Sequence, residues 1–495
     1  MAIGVWISLF LYFALMIGIG IYAMRKSTSS SEDYVLGGRN LSPKVAALSA
    51  GASDMSGWLL LGLPGALFVT GLASAWIGIG LFVGAFVNWI VVAPRLREQT
   101  ERYGNSLTIP AFLANRFPSK AMALRMVSAI IIVVFFAVYT ASGLVAGGKL
   151  FESAFAGIFN FGGLSDYSVG IWLTLIVVLA YTVVGGFLAV SLTDFCQGVI
   201  MMLALVIMPA VVLWGPGGGG FAQASETLNQ VDPNLLSWTQ GVTFLGFLSA
   251  VTWGLGYFGQ PHIIVRFMAV RSVKEVGAAR NIGMSWMAIS LIGAICVGVF
   301  GRAYAVRNGL DISDPETIFI VLADMLFHPL ITGFLYAALL AAVMSTISSQ
   351  LLVSSSSLTE DFYRLFLRKE ATGKELVTVG RICVLLVGII AAFIARDPTS
   401  QVLGLVSNAW AGFGAAFGPL IILSLTWPRM TGSGAVAGLV AGAVTVIVWI
   451  SMGWGSSFMG GEGIYEIIPG FIVSAIAIYV VSMMTETQGE YQPVE

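Results

Sequence analysis

The sequence predicts an all-α polytopic membrane protein of about thirteen transmembrane helices, with a five-plus-five inverted-repeat core and two broken helices. Three observations carry this reading. Of the 495 residues, 57% are hydrophobic and only 10% are charged, and the mean hydropathy is +0.91. That is too small a polar shell to keep a chain of this size dispersed in water. Apolar runs on the order of 20 residues, enough to cross a bilayer, recur from one end to the other. Two of these runs are interrupted at mid-membrane depth by glycine and polar residues, and the interruptions lie five spans apart.

The runs fall near 4–24, 45–70, 72–94, 122–148, 168–187, 190–214, 239–262, 282–301, 329–353, 377–395, 401–427, 433–453 and 465–484. No basic segment precedes the first, and Arg25 and Lys26 follow it. It therefore reads as an extra N-terminal helix over 3–25, with its N-terminus outside, rather than as a signal peptide. With that start, every one of the 24 Lys and Arg residues faces the cytoplasm except Lys149, Arg302, Arg307 and Arg396, the bias that the positive-inside rule expects. No long polar insert separates the spans, so 1–495 reads as one membrane domain: the repeat core over 43–427, two C-terminal helices over 432–485, and a short cytoplasmic tail over 486–495. The expected location is the cell (inner) membrane, with the surrounding lipid as a partner. Segments longer than a turn are expected at 95–121, 149–167, 215–238, 302–328 and 358–376. In one of them Asp314-Pro315-Glu316 is a helix start, with an Asp cap, Pro at the first position and an acid in the first turn. It opens a short amphipathic helix, about Pro315–Phe327.

The net charge of −1 argues against a nucleic-acid partner. Cys196, Cys296 and Cys383 all sit in apolar spans, which suggests neither a disulfide framework nor a thiolate metal site. Two histidines are too few for a histidine-rich metal centre. No cofactor is expected.

The broken spans are the informative ones. The second contains Gly51-Ala52-Ser53-Asp54-Met55-Ser56-Gly57-Trp58, then Gly62 and Pro64-Gly65. The seventh contains Trp253-Gly254-Leu255-Gly256-Tyr257-Phe258-Gly259-Gln260-Pro261. Lipid cannot satisfy an unwound backbone, so such stretches must be buried in protein or line a wet cavity. Two breaks five spans apart match inverted repeats whose broken helices meet at a central site. The literal G-x-G-x-x-G in the seventh span lacks the strand and βαβ unit that a dinucleotide site needs. Close helix packing through small residues is the blander reading.

Chemistry-bearing residues cluster at the breaks. Asp54 is an acid in an apolar span, a functional candidate by default; the alternative is a structural acid bonded to backbone amides freed by the break. In Leu340–Thr346, the Ala342 carbonyl and the Ser345 and Thr346 hydroxyls share a helix face. With the carbonyls of Ala52 and Met55 they make five neutral oxygens, the donor set of a hard cation, and Na+ suits a compact dry cage. The alternative is that the hydroxyls bond their own helix carbonyls. Trp58, Tyr139, Trp253, Tyr257 and Pro261 suit an apolar substrate pocket, although aromatics in membrane helices also serve packing and interfacial belts. Asp194 reads as a cap of the sixth span or as part of an ion exit, and Arg39 as a positive-inside charge.

At these residues the chain resembles the sodium/solute symporter family, through 49–60, Gly254–His262, Ala341–Thr346 and Trp410–Pro419. The likeness runs from Tyr34 to Phe471. It implies sodium-coupled uptake of a small solute, with L-proline as the solute of the most similar members. It implies sodium held at Ala52, Met55, Ala342, Ser345 and Thr346. The solute pocket would use Ser56, Gly57, Trp58, Tyr139, Trp253, Tyr257 and Pro261, and Asp54, Arg39 and Asp194 match residues of functional importance. A membrane enzyme built on Asp54 would need a second nearby carboxylate or a nucleophile–base pair, which the spans do not offer. A transporter-like sensor would need a signalling domain, for which the expected tail has no room.

Overall fold

The computed structural model describes residues 2–26, 30–159 and 161–486. Among these residues every regular element is helical, and the one β-type pairing is an isolated parallel bridge between Leu41 and Val270. Among the described residues, eleven helices are long and apolar enough to cross a membrane. One of them, Pro43–Arg102, is a run of 60 residues that takes in two of the expected spans, and Phe244–Gly259 forms a shorter apolar helix. The expected tail falls almost wholly on 487–495, outside the described residues.

The second span breaks where its sequence says it should. Ser42 caps the half-helix Pro43–Gly57 by accepting from Val45 N, with Pro43 at its first position. At Ser56 the backbone turns to φ 53°, ψ −169°, a conformation that side-chain-bearing residues rarely adopt. Trp58 N donates to the Met55 carbonyl, and the Ser56 hydroxyl also accepts from it at 3.1 Å. The chain then winds loosely through Trp58–Gly62 and resumes as Leu63–Thr70. In the seventh span, Phe244–Val251 tightens into a 3₁₀ stretch over Thr252–Gly259, Gln260 is extended, and Pro261 opens the half-helix Pro261–Ala269.

The fifth and sixth spans form as expected, as Asp166–Val183 and Gly185–Trp214, and meet at a sharp kink at Gly186, where φ is 62°. A Cβ there would lie 2.6 Å from the Tyr34 ring, so a left-handed glycine makes the connection. Two expectations are corrected. Asp194 is no helix cap; it lies inside the sixth span and is fully buried. The expected loop at 358–376 begins instead as a helix, because Pro329–Ser356 continues as a π-helical stretch to Leu367. The Asp314 cap forms as expected, with its carboxylate accepting from Glu316 N at 3.1 Å. The helix that follows, Ile318–Leu326, buries Ile318, Phe319, Ile320 and Leu322.

Candidate functional site

Four of the five oxygens expected to hold a cation converge. Ser345 Oγ donates to Ala52 O at 2.7 Å and lies 3.1 Å from Ala342 O. Thr346 Oγ1 lies 3.4 Å from Ala52 O and 3.3 Å from Ala342 O. Each hydroxyl thus reaches its own helix carbonyl and also one on the broken second span. The Met55 carbonyl accepts from Trp58 N. All five residues are buried. A cluster of neutral carbonyl and hydroxyl oxygens, with no charged member, fits a hard monovalent cation better than a transition metal.

Asp54 bonds to other groups than this cluster. Its carboxylate accepts a hydrogen bond from the Tyr257 hydroxyl, and its main-chain carbonyl accepts from Tyr139 OH at 3.4 Å. The partner of the carboxylate is therefore a side chain of the other broken span, and not a backbone amide freed at its own break. Asp54 borders two small cavities. One, about 20 Å³, is lined by Asn88, Tyr257 and Trp286, and the other, about 10 Å³, by Trp58, Tyr139, Trp253 and Trp410. Each has room for little more than one water.

The aromatic residues form a column. The Trp58 and Trp253 rings stack with centroids 5.9 Å apart, and Trp253 stacks in turn on Tyr465 at 5.2 Å. Above Trp253 and Tyr465 opens a vestibule of about 1090 Å³, lined by Glu316, Glu462 and Glu466 among others. Trp253 is both the floor of the vestibule and a wall of the 10 Å³ cavity. Gly57 packs tightly, since a Cβ there would stand 2.8 Å from the Ala146 methyl. Pro261 does not join this group: it starts its half-helix and lines a separate cavity of about 20 Å³ with Phe187 and Val265.

A buried ionic network lies beyond the oxygen cluster. Asp194 Oδ2 accepts from Ser49 Oγ at 2.8 Å and from Arg266 Nη2 at 3.1 Å. Arg266 also donates to Ser49 Oγ at 3.0 Å, Ser349 Oγ at 2.6 Å and the His262 carbonyl at 2.6 Å. Arg266 and Asp194 are both fully buried, so Arg266 is not the cytoplasmic surface charge that the sequence suggests. The signal was weak: only the acid in an apolar span hinted at a buried base.

Arg39 is likewise more than a surface charge. It donates to Asn105 Oδ1, Thr100 Oγ1, Ser106 O and, at 2.9 Å, Met268 O. Arg97 donates to Val270 O at 2.5 Å, Leu41 N donates to Ala269 O, and Arg271 N donates to Leu41 O, the last two at 3.0 Å. The lead into the half-helix Pro43–Gly57 is thereby tied to the exit from the half-helix Pro261–Ala269. Burial, and then the neighbouring Arg97 charge, pull the Arg39 guanidinium down to about 10; it remains charged at neutral pH.

Sequence reasoning missed Trp410, Tyr465, Asn88 and Arg266 as members of this region. Trp410 stood inside a quoted motif, but no spacing rule placed it against Trp253.

Comparison with known proteins agrees with this geometry. The family model described as the sodium:solute symporter family matches residues 34–442. The high-affinity proline transporter PutP of Bacillus subtilis is 54% identical over 96% of this chain and 97% of its own length. The osmoregulated proline transporter OpuE of the same organism is 52% identical over 98% of this chain and 96% of its own. A sodium/proline symporter of Staphylococcus aureus is 50% identical over 98% of this chain and 94% of its own. Among solved structures, the substrate-bound, outward-open form of a Na+-coupled sialic acid symporter superposes with a TM-score of 0.79 at 20% identity, covering 99% of both chains. That likeness speaks to the fold alone. The family match over most of the sequence and relatives above one-half identity across nearly its whole length establish that the chain belongs to the sodium:solute symporter family.

Proposed function

We propose that this chain carries L-proline into the cell in symport with Na+, by alternating access. The observation that supports the reading most directly is the meeting of two unlike surfaces on one broken helix. Neutral oxygens of Ala52, Ala342, Ser345 and Thr346 lie on one side of it, and an aromatic cavity bordered by Trp58, Tyr139 and Trp253 on the other. The names of the relatives above, proline transporters and sodium/proline symporters, point the same way.

In this reading Na+ sits among Ala52, Met55, Ala342, Ser345 and Thr346. The proline carboxylate takes backbone N–H groups at Ser56 and Gly57, where the unwound chain offers the positive end of a half-helix. Its ring lies against Trp58, Tyr139, Trp253 and Tyr257, with Pro261 fixing where the second half-helix begins. A 10 Å³ cavity is far smaller than an amino acid, so the stack of Trp58 on Trp253 must part to admit the solute. Around the site stand thirteen spans, with the repeat core over 43–427, the N-terminus outside and the C-terminus in the cytoplasm of the cell membrane. On that orientation the large vestibule opens outward. Na+ is the coupling ion, lipid is the surrounding partner, and no other cofactor enters.

The test is uptake of labelled proline into proteoliposomes with and without an inward Na+ gradient. Gradient-driven accumulation supports the reading. Sodium-driven uptake of a different amino acid, carboxylate, vitamin or sugar, with none of proline, would keep the symporter and replace its substrate. Absence of any sodium-dependent flux would reject both.

A further inference from the structure

The 3₁₀ stretch Thr252–Gly259 has left the α-helical ladder, and side chains from outside hold several of its carbonyls. Asn88 Nδ2 donates to Tyr257 O at 3.1 Å, and Gln260 Nε2 to Gly256 O at 3.1 Å. Trp410, from the helix Val402–Thr426, donates its indole Nε1–H to Trp253 O at 2.7 Å.

Trp410 engages this stretch in more ways than the other two. Its ring meets Tyr257 edge-on, with centroids 4.9 Å apart and an interplanar angle of 87°. Its own carbonyl accepts from Gln260 Nε2 at 3.0 Å. A Cβ on Gly256 would overlap the indole, so the chain passes the ring as bare backbone. Trp410 is 2% exposed and shares the 10 Å³ cavity with Trp58 and Trp253. One side chain on a neighbouring helix thus fixes the main chain of Trp253 and the ring of Tyr257, the two residues of this stretch assigned to the solute wall.

We infer that Trp410 is a positioning residue for solute binding: its N–H orients the Trp253 peptide and its ring seats Tyr257, so that Trp253 faces the 10 Å³ cavity and Tyr257 the neighbouring 20 Å³ one before the solute arrives. This rests on the proposal that Trp253 and Tyr257 line the solute pocket. The physical argument concerns the buried carbonyl. Without this donor, Trp253 O loses its side-chain hydrogen bond in an apolar place, and the peptide is free to turn toward another donor. Binding must then restore the original orientation, and that reorganisation weakens affinity. Sodium binding alone is spared, because its oxygens sit on the other broken span and on Pro329–Ser356.

Two variants separate the hydrogen bond from the packing. Trp410→Phe removes the N–H and keeps a ring. Replacement of Trp410 by 3-benzothienylalanine through stop-codon suppression keeps the bicyclic shape and removes only the N–H. Each is assayed in proteoliposomes for proline KM and Vmax, alongside Trp253→Ala. The expected result for the benzothienyl form is a KM raised roughly 5- to 30-fold, Vmax within about twofold, and Na+ binding in the absence of proline unchanged. Lower abundance or Vmax with an unchanged KM would mean a purely structural role and overturn the inference. If the KM of the benzothienyl form is unchanged while Trp253→Ala raises it, Trp410 loses its role and the pocket stands. If neither substitution moves KM, the pocket assignment falls with it. Should Trp410→Phe fail to reach the membrane, the benzothienyl form decides alone.

Discussion

Ser345 and Thr346 each place a hydroxyl within hydrogen-bond range of two carbonyls, one on each of two helices. Replacing an oxygen that coordinates a cation costs more than losing a neutral hydrogen bond, because the partner is charged. Ser345→Ala and Thr346→Ala are therefore expected to raise the Na+ concentration for half-maximal uptake by about tenfold or more, with membrane abundance little changed. Unaltered Na+ dependence in both would remove these hydroxyls from the site. A different route is proposed for Asp54. A cage of neutral oxygens leaves a bound cation's charge uncompensated in a low-dielectric setting. We propose that the Asp54 carboxyl, on the same half-helix and bonded by Tyr257, ionises when the cation is bound and offsets its charge without touching the cage. Asp54→Asn is expected to lose uptake at ordinary Na+, Asp54→Glu to keep part of it, and Tyr257→Phe, which frees the carboxylate but leaves its charge, to fall between Asp54→Asn and wild type. Full uptake by Asp54→Asn would end the charge argument.

At the scale of elements, what could be read from the sequence depended on how much chemistry marked each break. The second and seventh spans announce theirs with several glycines and polar residues in an apolar run, and both unwind as read. The sequence places the junction of the fifth and sixth spans at 187–190, beside Gly186, but not its form: a glycine pair in a run of apolar residues leaves the hydropathy nearly flat, and only the backbone reveals the positive φ. Arg266 was misread for a related reason, since hydropathy cannot distinguish an arginine at a membrane surface from one buried against an acid 72 residues away. The oxygen cluster was legible because its members repeat at helical spacing, whereas Trp410 and Tyr465 touch the site through contacts that no local pattern encodes. The Gly186 kink is testable. A methyl there would meet the Tyr34 ring and backbone in a conformation that itself costs about 1–3 kcal/mol. Gly186→Ala should lower the thermal midpoint of the purified protein by several degrees. Gly18→Ala, where a Cβ meets nothing within 4 Å, should not. Equal midpoints for the two variants would show that the kink carries no strain.

On the scale of the molecule, the proposed assignment has ion and solute share one stretch of unwound chain: Ala52 and Met55 on the cation side, Ser56 and Gly57 on the solute side. Ordering that stretch from one side orders it for the other, and linkage makes the effect mutual. Proline affinity is expected to rise roughly 5- to 150-fold between low and saturating Na+, a coupling of about 1–3 kcal/mol, measured by isothermal titration. Trp253→Ala and Tyr257→Ala should weaken proline binding and leave sodium binding alone intact. Equal proline affinity at both Na+ concentrations would exclude the shared-backbone mechanism even in a protein that transports proline. The pairing of Leu41 with Val270, reinforced by Arg39 and Arg97, has a mechanical consequence. Two levers riveted at their tips cannot swing separately. The half-helices Pro43–Gly57 and Pro261–Ala269 must turn as one plate about the pivots at Ser56 and Gln260, which removes a degree of freedom from the conformational cycle. A disulfide between Leu41→Cys and Val270→Cys, introduced in a chain freed of Cys196, Cys296 and Cys383, should then leave transport running under oxidising conditions. If closing that disulfide arrests uptake, and reduction restores it, the rivet opens in every cycle.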